Sequence, residues 1–193
     1  MKARRNCLII KAFNEQKESH EITMADGSKV NLFLGRKYSE NDRESNPNVC
    51  DVVSVGDGIE DLFVGDKIIV HHNVVKNEAS HLSRKDGYTT LSIPYSHLIY
   101  AKIKEDGELV PLKGTIIAER IPRKKLSEFD ITECTESMKF KVVSVPSGYD
   151  DVLPSQNILC YKLSDYEVVY HYNNRECKAI RILQDDIIGV FAD

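Results

Sequence analysis

Tryptophan is absent from this 193-residue sequence, and no apolar stretch approaches the ~18 residues that a membrane-spanning helix needs. No membrane association is therefore expected. Excess charge of one sign is missing too: 26 Lys and Arg against 30 Asp and Glu leave a net charge of -4. A mildly acidic chain lacks the general basic face that phosphate attraction requires, so no nucleic-acid partner is expected. The five cysteines, Cys7, Cys50, Cys134, Cys160 and Cys177, are odd in number, widely spaced and never in a Cys-x-x-Cys pair. That argues against a disulfide framework and a zinc site, and for small apolar residues in a reducing compartment. The segment Met1 to Ile10 starts basic, but Lys11 ends its apolar run after four residues. It does not read as a secretory signal, and a cytoplasmic location is the expectation.

What is present is ordinary for a folded chain. Charged residues at 29% and hydrophobic residues at 41% exclude a low-complexity, collagenous or broadly disordered protein. The length suits one ordinary domain or two small ones. No segment sustains helical spacing. Short β-branched runs recur instead, separated by turn residues, as in Cys7 to Ile10, Cys50 to Val55, Lys67 to His71, Thr89 to Ile93 and His97 to Ile103. Asp26-Gly27 between apolar runs predicts a hairpin, and Val168 to Leu183 around Asn173-Asn174 predicts another. Asn77 to Gly87 and Lys37 to Asn48 are polar and read as connections. The expectation is an all-β chain of small barrels or sandwiches.

Catalytic patterns are missing. There is no Gly-x-Ser-x-Gly, no phosphate-binding loop and no His-Glu-x-x-His. His71-His72 is the most suggestive pair, but neighbours on a strand point to opposite faces and cannot share one metal. Asp150-Asp151 and Asp185-Asp186 read as solvated turn residues, and Arg120 to Lys125 as a solvated basic loop. No enzyme activity, metal or other cofactor is expected.

An internal repeat sets the organisation. Residues 52–71 align without a gap on 142–161, with identities at Val52, Val53, Ser54, Val55, Gly58, Asp61 and Ile68 against residues ninety positions later. Seven matches in twenty exceed the roughly one or two that average composition gives. Leu98-Ile99 and Ile187-Ile188 match at nearly the same offset, and Leu8-Ile9-Ile10 matches Ile116-Ile117-Ala118 at a larger one. Two domains follow, 1–111 and 112–193, the first enlarged by the segment holding the Asp26-Gly27 hairpin.

Cys50-Asp51-Val52-Val53-Ser54-Val55-Gly56-Asp57-Gly58, followed by Val64-Gly65-Asp66-Lys67-Ile68-Ile69-Val70, resembles the core of the GroES-type co-chaperonin family. Arg181 to Phe191 is similar to that family's closing strand. The second copy departs from the pattern, with Pro154-Ser155-Gln156 in place of Val64-Gly65-Asp66 and Pro146-Ser147 in place of Gly56-Asp57. A duplicated, diverged version is similar to co-chaperonin-like proteins of tailed bacteriophages. The resemblance implies two tandem GroES-like small β-barrel domains and a homo-oligomeric ring that caps a chaperonin and helps to fold client proteins, capsid proteins among them. It implies mobile docking loops at about 14–48 and 122–138. The family's Gly-Gly-Ile-Val-Leu-like anchor is absent from both, and Leu32, Phe33, Leu34, Phe129 and Ile131 are the nearest apolar candidates. It further implies open edge strands, Leu8, Ile9 and Ile10 at one end and Ile187, Ile188 and Val190 at the other, that pair between subunits. The alternatives are a structural protein of a virion or other assembly that reuses the barrel as a binding module, and a regulatory adaptor. GroES-like barrels also occur in alcohol dehydrogenases, but the zinc ligands and dinucleotide-binding domain of those enzymes are missing here.

Overall fold

The computed structural model describes residues 2–13, 19–24, 28–33, 49–112, 114–121, 139–161, 165–172 and 175–191. The strands of the first half are β1 (Cys7–Phe13), β2 (Ser19–Thr23), β3 (Lys29–Phe33), β4 (Val49–Val55), β5 (Lys67–Val70), β6 (His81–Lys85), β7 (Tyr88–Pro94), β8 (Ile99–Ile103) and β9 (Leu109–Pro111). Those of the second are β10 (Thr115–Arg120), β11 (Lys139–Ser144), β12 (Asn157–Cys160), β13 (Asp165–Tyr172), β14 (Arg175–Leu183) and β15 (Ile187–Phe191). One short helix, α1 (His72–Lys76), follows β5. Among the described residues no helix is long and apolar enough to cross a membrane.

The strands make two antiparallel sheets, ordered β6-β7-β1-β4-β5-β8-β9 and β13-β14-β10-β11-β12-β15, with β2–β3 as a separate hairpin. The chain is thus mostly β, but the sheets are open where closed barrels were expected. Among the described residues β6 does not pair with β9, nor β13 with β15. Loop and helix side chains complete the cores instead. Ile59, Leu62, Val74 and Leu112 join Leu8, Ile10, Val52, Ile68 and Leu91 in the first. Val152 joins Phe140, Val142, Ile158 and Ile182 in the second, with Tyr149 packed against it. In both, alternate strand residues point inward, as the two-residue period requires.

The two sheets share six strands in one order, and the repeat extends to irregularities. A bulge falls between Ile9 and Ile10 where β1 meets β4, and between Ile117 and Ala118 where β10 meets β11. Another falls between Ile69 and Val70 on β5, and between Leu159 and Cys160 on β12. Asp66 accepts the Val52 amide with its carbonyl at 2.8 Å, and Gln156 accepts the Val142 amide in the same way at 2.8 Å. Even the degenerate Pro154-Ser155-Gln156 keeps the turn. The Asp66 carboxylate accepts the Phe63 N–H at 2.8 Å, and the Gln156 side-chain oxygen accepts the Leu153 N–H at 2.8 Å.

That retained turn carries a cost in the second copy. Gly65 has φ +94° and Ser155, its equivalent, φ +72°. A left-handed conformation crowds Cβ in any residue but glycine. Ser155→Gly is expected to raise stability by about 0.5–1 kcal/mol, after glycine's greater unfolded-state entropy is subtracted. Denaturant unfolding of the variant beside the parent checks this. An unchanged or lower midpoint would mean that Ser155 is not strained.

Three local expectations need correction. The stretch 77–87 is not a connection: it holds a 3-10 turn, β6 and a two-residue turn at Asp86 (φ +53°) and Gly87 (φ +76°) that sends the chain into β7. Two positive φ values in succession are the type I′ geometry that Asp-Gly favours. His71 and His72 are not strand neighbours, because β5 ends at Val70; their rings stack at 4.2 Å. Finally, β1 is no edge. It is hydrogen-bonded to β4 on one side and β7 on the other, with Leu8, Ile9 and Ile10 almost wholly buried. The apolar character that suggested a pairing edge instead reflects the middle of a sheet.

Candidate functional site

The sheets meet through a third cluster that draws on both. Ile69, Tyr100, Ala101, Ile103 and Leu109 of the first half pack on Ile117, Tyr166, Val168 and Tyr170 of the second. At its rim lies a polar and aromatic grouping of His71, His72, Tyr100, Tyr166 and Arg181. His71 caps α1: its Nδ1 accepts the Asn73 N–H at 3.0 Å, which leaves the ring proton on Nε2. That cap turns the chain sharply after β5 and sets His72 Nδ1 2.5 Å from the Tyr166 hydroxyl, a contact spanning the two halves. The Arg181 guanidinium lies 4.9 Å from the Tyr100 ring and 5.5 Å from the Tyr166 ring. Such stacking is worth ~1–2 kcal/mol when partly desolvated. At the chain crossover Thr115 is fully buried, its hydroxyl 2.7 Å from the carbonyls of both Tyr100 and Leu112. These groups hold the halves together.

Beside the junction is a cleft of about 1040 Å³ between equivalent loops of the two copies, with Gly58, Ile59 and Asp61 facing Pro146, Gly148 and Tyr149. The Tyr95 hydroxyl donates to Asp61. Burial, with Asp151 and Asp185 nearby, pushes the Tyr149 phenol up from its usual range. Lys102 is paired with Asp66 at 2.8 Å and Lys104 with Glu108 at 2.5 Å, so the cleft's cations are neutralised in place. Among the described residues its lining holds no histidine or cysteine. Among the described residues no three His, Cys, Asp or Glu side chains are grouped to hold a metal ion. Cys50 is deeply buried, and burial, with Asp51 beside it, pushes its thiol up to about 12. It therefore stays protonated and unreactive at neutral pH.

The anticipated interaction residues fall in different places. Leu32 and Phe33 lie on β3, opposite His20 and Ser19 of the hairpin. Leu34, Phe129 and Ile131 lie outside the described residues. Ile187, Ile188 and Val190 lie on β15, the last strand of the second sheet. Ile187 packs against the core, Ile188 sits at the bulge and is half-exposed, and Val190, opposite core residue Ile158, is half-exposed at the sheet's edge. Sequence reading passed over Tyr100, Tyr166 and Arg181, whose grouping joins residues far apart in the chain. It also passed over the apolar turn tips. Phe63 is 64% exposed and Leu153, its equivalent, 52%. The alignment of the copies carried the signal for those tips, since both keep a large apolar residue there.

No protein-family model matches the chain, and no curated protein shows significant similarity to it.

Proposed function

We propose that the chain is a co-chaperonin-like protein whose assembled ring caps a chaperonin and assists the folding of client proteins, capsid proteins among them. One observation carries this reading. Both copies follow a single plan, and in both a long segment separates the opening strand from the bulged second strand, 14–48 in one and 122–138 in the other. That is where the docking loops of GroES-type proteins leave the core. On this reading the chain is a binding protein without catalysis or cofactor, and it works in the cytoplasm, the host's if a phage encodes it. Leu32, Phe33 and Leu34 in one segment and Phe129 and Ile131 in the other would supply the apolar contact.

The test mixes the purified chain with its host's chaperonin, with and without ATP, and reads native mass. A nucleotide-dependent complex of fixed stoichiometry is expected, and it should vanish when Leu32, Phe33 and Leu34 are all changed to Ser. A second reading, a structural component of a virion or other assembly, is favoured by the β2–β3 pairing, which gives the first segment a hairpin rather than a bare loop. No chaperonin complex, with the chain recovered in purified particles, would overturn the first reading and support the second.

A further inference from the structure

The cleft between the copies is an unfilled seat, and the first copy shows what such a seat holds. There the opening segment lies against the loop that follows β4. Gly56 N–H donates to Cys7 O at 3.0 Å and Gly58 N–H to Arg5 O at 3.4 Å. A Cβ on Gly58 would meet the Asn6 side-chain oxygen at 2.1 Å. The segment that fills this seat is basic, with Lys2, Arg4 and Arg5, and it meets the loop mainly through main-chain carbonyls.

The second copy keeps the loop without its filling. Pro146, Gly148 and Tyr149 stand where Gly56, Gly58 and Ile59 do. Residues 112–114 stand where 4–6 do, since Thr115 N–H donates to Leu112 O as Cys7 N–H does to Arg4 O. Pro146 has no N–H to offer, and even a Cβ at its position in the first copy would collide with the Arg5 carbonyl oxygen. The segment ahead of β10 is held to β8 instead, with Leu112 N–H donating to Tyr100 O at 3.0 Å. Among the described residues Gly148 N–H therefore has no acceptor, and a Cβ on Gly148 would meet nothing within 4 Å. What remains is the cleft of about 1040 Å³, with Gly58 and Ile59 on one wall and Gly148 and Tyr149 on the other.

The unpaired charge of the lining is acidic. Lys102 and Lys104 are each held by a carboxylate, that of Asp66 and that of Glu108. Among the described residues Asp61 accepts only the Tyr95 hydroxyl, and Glu60 is exposed with no ion pair. Asp151 and Asp185 lie close to Tyr149 on the opposite wall. A cationic side chain entering the cleft thus meets carboxylates on both walls and an aromatic ring whose face attracts it.

We propose that this cleft binds a basic peptide segment of a partner protein. Gly148 N–H takes a main-chain carbonyl of the peptide, and Glu60, Asp61 and the Tyr149 ring take its Arg or Lys side chains. The occupant is a peptide rather than a small cation because the first copy fills the equivalent seat with main chain. The cleft forms within one chain and needs neither a ring nor a chaperonin. Failure of the chaperonin test therefore leaves this proposal standing, and its own failure leaves the chaperonin reading untouched.

The test is fluorescence anisotropy of two labelled, amidated peptides on the full chain, Ala-Ala-Arg-Arg-Ala and Ala-Ala-Glu-Glu-Ala. The arginine peptide is expected to bind one to one, more weakly as salt is raised, and the glutamate peptide not at all. Glu60→Gln with Asp61→Asn should weaken binding about tenfold, since two exposed charge pairs are lost. Gly148→Asn puts a side chain where Asn6 stands over Gly58 and should abolish binding; asparagine accepts the φ of +77° at that place. Unchanged thermal midpoints confirm folding, and the carboxylate variant serves if Gly148→Asn unfolds the chain. No binding of the arginine peptide, equal binding of the glutamate peptide, or a folded variant that binds like the parent would overturn the proposal. So would displacement of the peptide by spermidine mole for mole, since spermidine has no main chain to offer. Binding that occurs only as an oligomer of the chain comes apart would give the seat to a second copy and overturn it too.

Discussion

Gly56→Ala is expected to destabilise the protein by about 3 kcal/mol or more, at the upper end for overpacking. A Cβ at this position would lie 1.8 Å from the Arg5 carbonyl oxygen and 2.9 Å from that of Cys7. Both obstacles are backbone, so no side-chain rotation relieves the clash. The same residue donates its N–H to Cys7 O at 3.0 Å, and Gly58 N–H reaches Arg5 O at 3.4 Å. The methyl group would push the opening segment off the β4 turn and loosen these bonds together. Ala3, held by its N–H on Ser54 Oγ at 2.9 Å, would be released with it. The second copy has Pro146 at this position. Proline has no N–H to give, so that copy cannot make the same clasp. Denaturant unfolding gives the magnitude, and limited proteolysis near Arg4 and Arg5 reports the released segment. A loss under ~0.5 kcal/mol, the range of an unremarkable surface change, would mean that the opening segment does not sit against Gly56.

Tyr100→Ala is expected to cost about 3–5 kcal/mol, as for other large aromatic side chains removed from a core. Tyr100 is 1% exposed, and it packs at 5.5 Å from Tyr166 and under the Arg181 guanidinium. Arg181 Nε is buried and has no hydrogen-bond partner among the described residues. Such a donor costs about 1–3 kcal/mol, an expense that ring stacking offsets. Without the Tyr100 ring that offset is halved, and the surface between the sheets is left with a cavity. Each half keeps its own core, so the loss falls on the contact between them. The parent should unfold in one transition and the variant in two, read by calorimetry. Tyr166→Phe removes only the hydroxyl near His72 and should cost ~1 kcal/mol with the single transition kept. A Tyr100→Ala variant that still unfolds in one step, with less than ~1 kcal/mol lost, would show that the halves are not coupled through this cluster.

Much of the plan was legible in the sequence because it is written in local terms. Alternating apolar residues, Asp-Gly turns and the ninety-residue repeat are local or self-referential signals, and the β2–β3 and β13–β14 hairpins and the equivalence of the two copies follow from them. The register of the opening strands, Ile9 with Ile117 and Ile10 with Ala118, was also readable, and the shared bulge agrees with it. The Asp86-Gly87 hairpin was equally local but lay in a polar stretch, so its turn chemistry was outweighed by composition. β6 is largely exposed, which is why it lacks the apolar alternation that marks the other strands.

What tertiary structure decided is which strand stands at an edge and which outer face is covered. Leu8 to Ile10 and Ile187 to Val190 are similar apolar runs. Only strand order shows that, among the described residues, β1 has two neighbours and β15 one. Tyr100 and Ile188 occupy one position in two copies of a fold, yet one is buried and the other half-exposed, because a second sheet lies over only the first. A sequence specifies side chains at each place along the chain. Whether a place meets water or another sheet depends on residues a hundred positions away, and no local pattern carries that information.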